Sequence, residues 1–174
     1  MTTASFILSF LICIGFLSVV LSERCTYSIS VKTGTKSHAG TDAVVSLKLS
    51  SLEDPAIYIP NLEKYGLMGA GHDYFENGNL DLFSYTGPCF PTPVCYIKLS
   101  HDNSGDYPGW FVSYVQIETS GGPITPTKKY FEVEQWLADD EPPYLLSTCR
   151  DLCPNDNHLI KSDVGIGSLV DATV

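Results

Sequence analysis

Apolar and polar residues alternate with a period of two over most of this 174-residue chain. That is the pattern of β-strands with one buried face. Tyr27, Ile29 and Val31 alternate with Ser28, Ser30 and Lys32. Val45, Leu47 and Leu49 alternate with Ser46 and Lys48. Ile57 and Ile59 form a short run that Pro60 stops, and a fourth run covers residues 80–85. Cys95, Ile97 and Leu99 alternate with Tyr96 and Lys98. Phe111, Val115 and Ile117 are expected on one face of a strand that opens at Trp110. The last run, 129–137, carries Phe131 and Val133 on one face and then Trp136 and Leu137 together. Such a parity break predicts a bulge or a strand end at that pair.

No segment shows a helical period. The 14 glycines and 11 prolines fall mostly between the short runs. Short alternating strands with turn residues between them predict an all-β chain, an antiparallel β-sandwich. Pro142, Pro143 and Pro154 mark the expected end of a packed domain over residues 23–154. Residues 155–174 read as a loosely ordered tail.

The start of the chain breaks the pattern. Residues 6–21 are almost wholly apolar and carry no charge, yet the stretch is shorter than the ~20 residues a spanning helix needs. Residues 1–22 are therefore read as a secretory signal cleaved after Ser22. The expected localisation is the secretory pathway, either extracellular or in the endoplasmic reticulum. The C-terminal Asp171-Ala172-Thr173-Val174 is not a retention signal.

An oxidising compartment changes the reading of the cysteines. Cys13 leaves with the signal, and Cys25, Cys89, Cys95, Cys149 and Cys153 remain. They are expected to pair, with one left over. Cys89 and Cys95 flank a segment holding Pro91 and Pro93, so a local Cys89–Cys95 bridge is predicted; the chain-entropy model gives a loop this short ~2 kcal/mol. A second bridge from Cys25 to Cys153 or Cys149 would tie the ends together. The spacing offers no CxxC pair, which argues against zinc.

All charged residues follow Ser22, so the mature chain keeps the net charge of −10. That charge argues against nucleic acid and against simple attraction to anionic lipid. Divalent cations would reduce the repulsion. Acidic loop residues therefore matter, and the stretch before Trp110 has Asp102, Asn103, Ser104, Gly105, Asp106, Pro108 and Gly109. These are turn formers in the first place. Trp110 reads as a core aromatic where the strand enters the sandwich.

Four landmarks in order resemble the PLAT domain, the lipoxygenase-homology β-sandwich. They are Ala39-Gly40-Thr41-Asp42; the stretch 74–83, with Phe75-Glu76-Asn77-Gly78 followed by Asp81; His101-Asp102-Asn103-Ser104-Gly105 with Trp110-Phe111; and Phe131 through Leu137. The cysteine frame and Gly66-Leu67-Met68-Gly69 narrow the resemblance to small secreted plant proteins made of one PLAT domain. The family usually has a cysteine before the last strand, where this chain reads Pro126-Thr127-Lys128-Lys129, and Cys149 is an addition.

The resemblance implies two four-stranded sheets and docking on lipid or protein, often with calcium. Carried over residue by residue, the calcium ligands would be Gly40, Thr41 and Asp42, with Asp73 and Glu76 from the second loop. Tyr74 stands at a further ligand position and cannot replace a carboxylate. Asp106 is the nearest acid in the third loop. Calcium wants six to eight oxygens, so three converging loops could supply it. The first inter-strand loop, 33–39, has no aromatic to enter a membrane. The better lipid or partner contact is Tyr65, Leu67 and Met68, unless Leu67 and Met68 fold back on the core.

No Gly-x-Ser-x-Gly elbow is present, and the four histidines show no metal spacing. The expected function is a non-enzymatic interaction module in plant abiotic stress, docking on a lipid or membrane surface or on a protein partner, with calcium assisting. The alternatives are a purely protein-directed module and a divergent lipid-modifying enzyme.

Overall fold

A computed structural model describes residues 23–52 and 55–154. The expected signal and tail, 1–22 and 155–174, lie outside the described residues. Eight strands follow one another: β1 (Arg24–Thr33), β2 (Val45–Ser50), β3 (Ile57–Ile59), β4 (Leu80–Pro88), β5 (Tyr96–His101), β6 (Trp110–Ser120), β7 (Thr127–Leu137) and β8 (Ser147–Asp151). A single 3-10 turn, Glu63–Tyr65, is the one helical element among the described residues.

The strands form two four-stranded antiparallel sheets, ordered β4-β1-β6-β7 and β3-β2-β5-β8. The alternating residues supply the core between them. Tyr27, Ile29 and Val31 from β1 meet Val45, Leu47 and Leu49 from β2, and all six are buried. Trp110 is wholly buried, as its place at the strand's start predicts. Its indole N–H donates to Thr33 Oγ1 at 3.0 Å, so the one polar atom of the ring is satisfied inside the core.

Two bulges alter the expected faces. Against β1, β6 holds one extra residue between Val112 and Tyr114. The side-chain period of a strand is two, so an inserted residue switches every later residue to the other face. Trp110 and Val112 therefore join Val115 and Ile117 in the core. Phe111 goes to the outer face, where it packs on Trp136 (ring centroids 5.4 Å apart) under the Lys36 ammonium at 3.9 Å. The expectation that Phe111 shares the face of Val115 is corrected by this bulge. The second bulge lies in β7 opposite Val112–Tyr114, where Glu134 takes φ 43°. It comes earlier than the Trp136-Leu137 pair, where the strand itself ends as the pattern allowed.

β8 was not legible as a strand. Ser147-Thr148-Cys149-Arg150-Asp151 has no aliphatic residue and none of it is buried. It is an edge strand held by polar contacts instead. Arg150 Nε donates to Glu132 O at 2.8 Å, and its Nη2 to Val133 O. β7 is the edge of one sheet and β8 the edge of the other, so one guanidinium fastens the edges of both sheets.

The disulfides are Cys25–Cys89 and Cys95–Cys153, and Cys149 is free and exposed. Neither the local Cys89–Cys95 bridge nor the expected one from Cys25 to Cys153 or Cys149 forms. Cys89 follows β4 and Cys95 precedes β5, so the segment between them crosses from one sheet to the other. Each cysteine instead meets the neighbouring strand of its own sheet. Cys25 stands opposite Gly87 in the β1–β4 ladder, and its Cα lies 4.9 Å from that of Cys89. Cys153 follows β8, whose Asp151 faces Tyr96, and its Cα lies 4.7 Å from that of Cys95.

Candidate functional site

At one pole the start of β4, the start of β6 and the end of β1 bring three loops together. The first loop is locked to the other two by its backbone and one hydroxyl. Thr41 N–H donates to Phe75 O at 3.3 Å, and Phe111 N–H to Ala39 O at 3.0 Å. Thr41 Oγ1 donates to Pro108 O at 2.9 Å and accepts from Ala43 N–H at 3.1 Å. The Thr41 side chain is thus a strut between loops rather than a free ligand. Gly105 (φ 85°) lies so close to Asp42 that a Cβ would sit 2.5 Å from the Asp42 Cβ. A side chain there would separate the first and third loops.

The second loop is built around a buried carboxylate that sequence reading passed over. Asp81 is fully buried. Its Oδ2 accepts Phe75 N–H at 2.8 Å, and its Oδ1 lies 2.6 Å from His72 Nε2. These bonds hold Phe75 at φ 63°, unusual for a bulky residue. The Phe75 ring stacks on Phe83 at 5.5 Å and meets Trp110 edge-on at 5.2 Å. The turn that follows aims Glu76 at the first loop: a Cβ on Gly40 would lie 3.3 Å from Glu76 Oε2. The signal for this device was Asp81 itself, an acid on the apolar parity of β4 beside Phe83.

The result is an open cleft of about 360 Å³ lined by Gly40, Thr41, Asp42, Glu76, Asn77 and Tyr107, with His38 at its edge. Asp106 lines the next cleft, with Asp139, Asp140 and Glu141. Asp73 is exposed and lines neither. The six expected calcium ligands are therefore not brought into one set. Asp42 and Glu76 share a cleft, Asp106 is displaced along the third loop, and Asp73 faces solvent. Among the described residues no three His, Cys, Asp or Glu side chains form a metal cluster. The donors in the cleft suit a hard cation by kind, since they are two carboxylates with backbone and amide oxygens nearby. By number they fall short of a closed cage, so water would have to complete the shell.

The PLAT/LH2 domain family matches residues 27–147. The chain belongs to this family. PLAT domain-containing protein 2 of Arabidopsis thaliana is 43% identical over 152 residues, covering 84% of this chain and 83% of that one. PLAT domain-containing protein 1 of the same plant is 41% identical over 153 residues, covering 85% and 84%. Among solved structures, coral 8R-lipoxygenase, described as calcium-activated via a C2-like domain, aligns with TM-score 0.55 and 21% identity over 72% of this chain and 16% of that one. At that identity the likeness is one of fold.

The apolar face of this PLAT domain is wider than the expected one. Gly66 pairs with Phe83, and Leu67 N–H donates to Leu82 O at 2.8 Å. Directly opposed residues point the same way, so Leu67 joins Leu82 and Leu80 on the outer face beside β4. They are 61%, 39% and 44% exposed. Leu67 does not fold back on the core. Met68 is half-buried, and its N–H donates to the Tyr74 hydroxyl at 3.1 Å. Tyr65 is exposed and packs edge-on against Tyr85 at 5.1 Å. Leu80 and Leu82 thus extend the expected contact of Tyr65, Leu67 and Met68 along β4. Sequence reasoning missed Leu80 and Leu82 because they are the outward parity of a strand and become a strip only when the 66–67 segment lies along them.

Two ionisable groups tie the third loop to the sheets. Asp102 accepts from the Ser104 hydroxyl (2.6 Å), the Ser104 N–H and the Val44 N–H (both 3.0 Å). The Ser104 bonds above all hold its carboxyl below the usual range. His101 is buried; Nε2 donates to Leu137 O at 2.9 Å and Nδ1 accepts Asn103 N–H at 3.2 Å. That is the neutral ring. Burial pushes its pKa below the ordinary value, with the Leu137 carbonyl and the Asp102 and Asp139 carboxylates opposing. The unfolded chain then takes up the proton first as pH falls. The stability from the neutral ring is present above ~6.5 and is lost as pH drops through the lower folded value. The folding free energy of the parent should fall more steeply between pH 7 and pH 5 than that of His101→Gln, measured by urea unfolding. Parallel slopes would show that the buried ring accepts its proton without penalty.

Proposed function

We propose that this PLAT domain is a secreted, non-enzymatic docking module that lays the Leu67–Leu80–Leu82 strip on a lipid surface. The observation that carries the reading is the strip itself. Three large aliphatic side chains share one exposed face beside an acidic pole, and contiguous apolar surface of this kind marks an interaction site. Calcium held by Asp42 and Glu76, with Gly40 and Asn77 supplying neutral oxygens, would offset part of the net charge of −10 that opposes anionic bilayers. Two carboxylates imply weak affinity, about 10⁻⁴–10⁻³ M, as in extracellular modules. The two disulfides suit an oxidising compartment, and the setting proposed is the apoplast or endoplasmic reticulum of a plant cell responding to abiotic stress.

The strip and the cation are separable in one experiment. A fully buried leucine contributes roughly 1.5–3 kcal/mol, so partial burial of two should be worth about tenfold in partitioning. Co-sedimentation with phosphatidylcholine liposomes containing phosphatidylserine should fall by about that factor in Leu67→Ser/Leu82→Ser. Millimolar calcium should strengthen binding of the parent and not of Asp42→Asn/Glu76→Gln. Equal sedimentation of the leucine variant would remove the strip from the reading. A protein partner remains the second reading, favoured by the same negative charge, which would attract a basic surface. It predicts capture that is indifferent to lipid. Turnover of lipid esters by the purified chain would instead support an enzyme.

A further inference from the structure

The opposite pole holds a cavity that docking through the strip does not use. It measures about 330 Å³ and lies between two segments. One is the crossover Phe90-Pro91-Thr92-Pro93-Val94, and the other is the β6–β7 hairpin with Pro123, Ile124 and Thr125. Thr119 and Thr127, paired across the base of that hairpin, also line it. No charged side chain lines it, in a chain of net charge −10.

Its walls are fixed before any ligand arrives. The crossover is anchored at one end by the Cys25–Cys89 bridge and at the other by Cys95–Cys153, with two prolines between. The hairpin rests on the first bridge: a Cβ on Gly122 (φ 57°) would sit 2.7 Å from Cys89 Sγ. Phe90 is buried edge-on to Tyr27 at 5.7 Å. A preformed cavity spares a ligand the cost of ordering its site.

The second observation is polar. Three buried side-chain oxygen atoms lack a hydrogen-bond partner among the described residues: Thr92 Oγ1, Thr119 Oγ1 and Asn103 Oδ1. Two of the three belong to residues of this one cavity. Thr119 is 4% exposed. Buried hydroxyls without partners are costly, and each one in a natural fold calls for an explanation. A threonine hydroxyl can donate or accept. Apolar walls, a volume at the lower end of ligand sites and neutral hydrogen-bonding groups define the occupant.

We propose that this cavity binds a small neutral molecule with an apolar body and one hydroxyl or carbonyl group, which Thr119 and Thr92 engage once a χ1 rotation turns their hydroxyls, shielded in the empty wall, into the cavity. The test uses N-phenyl-1-naphthylamine, a neutral probe that fluoresces in apolar sites, on the mature chain. Saturable one-to-one binding is expected, with displacement by 1-decanol and little by decanoate at pH 8. Thr119→Val keeps the shape and removes the hydroxyl, so 1-decanol should compete about two- to tenfold less well while thermal stability holds or rises. Ile124→Glu should abolish probe binding; if that variant fails to fold, Thr125→Trp at the exposed rim gives the same reading. Leu67→Ser/Leu82→Ser should bind the probe as the parent does, which separates this site from the docking strip. Absence of saturable binding, or competition by decanoate equal to that by decanol, would overturn the proposal. So would probe binding lost only with the leucine strip.

Discussion

Asp81→Ala is expected to lose about 3–5 kcal/mol of folding stability, the scale of two charge-assisted hydrogen bonds with a buried N–H left unpaired. The carboxylate is fully buried and serves Phe75 N–H and His72 Nε2 at once. Its loss frees Phe75 from φ 63°, a conformation that costs about 1–3 kcal/mol to maintain and persists only while its surroundings impose it. The change should therefore reach the site. With Phe75 relaxed, the turn no longer presents Glu76 to Gly40, and the Thr41 N–H loses its anchor on Phe75 O. Asp81→Asn keeps an oxygen for Phe75 N–H and should cost less than half as much. Guanidinium unfolding of the three proteins measures this. Equal stability of Asp81→Ala and the parent would show that the second loop holds itself without the carboxylate.

Removal of the Cys25–Cys89 bridge by a double serine substitution should cost about 4 kcal/mol. The bridge closes a stretch with sequence separation 64, and the chain-entropy model scales with the logarithm of loop length. The Cys95–Cys153 bridge, separation 58, should be worth nearly the same. The alternative, a local Cys89–Cys95 link, would itself contribute only ~2 kcal/mol. Peptide mapping without reduction separates the two frames directly. It should recover Cys25 with Cys89, Cys95 with Cys153, and Cys149 as a thiol. A Cys89–Cys95 peptide as the main product would overturn the frame, together with the clamp that shapes the cavity at that pole.

The error over Cys89 and Cys95 shows where sequence reasoning stops. Sequence nearness and two prolines suggested a tight loop. Yet the segment is the passage between sheets, and which residues end a strand opposite one another depends on ladder register. Phe111 shows the same limit on a smaller scale: a single extra residue in β6 exchanged its face with that of Trp110 and Val112. β8 lacked a signal because an edge strand held by Arg150 needs no apolar alternation. The calcium ligands were carried over by motif. The motif placed Asp42 and Glu76 at one cleft, but the displacement of Asp106 and Asp73 depends on loop paths that no spacing encodes.

By itself, the order of apolar and polar residues determined the faces of β1, β2 and β5, the antiparallel sandwich and the burial of Trp110, because a period of two leaves few other ways to remove so much apolar surface from water. The family pattern in the loops determined which acids lie near one pole. The tertiary structure alone decided the disulfide partners, the strip of Leu67 with Leu80 and Leu82, the burial of Asp81 under the second loop and the cavity between crossover and hairpin. Each of these joins residues distant in sequence through strand register and bulges. Those depend on how whole sheets pack rather than on any local run of residues.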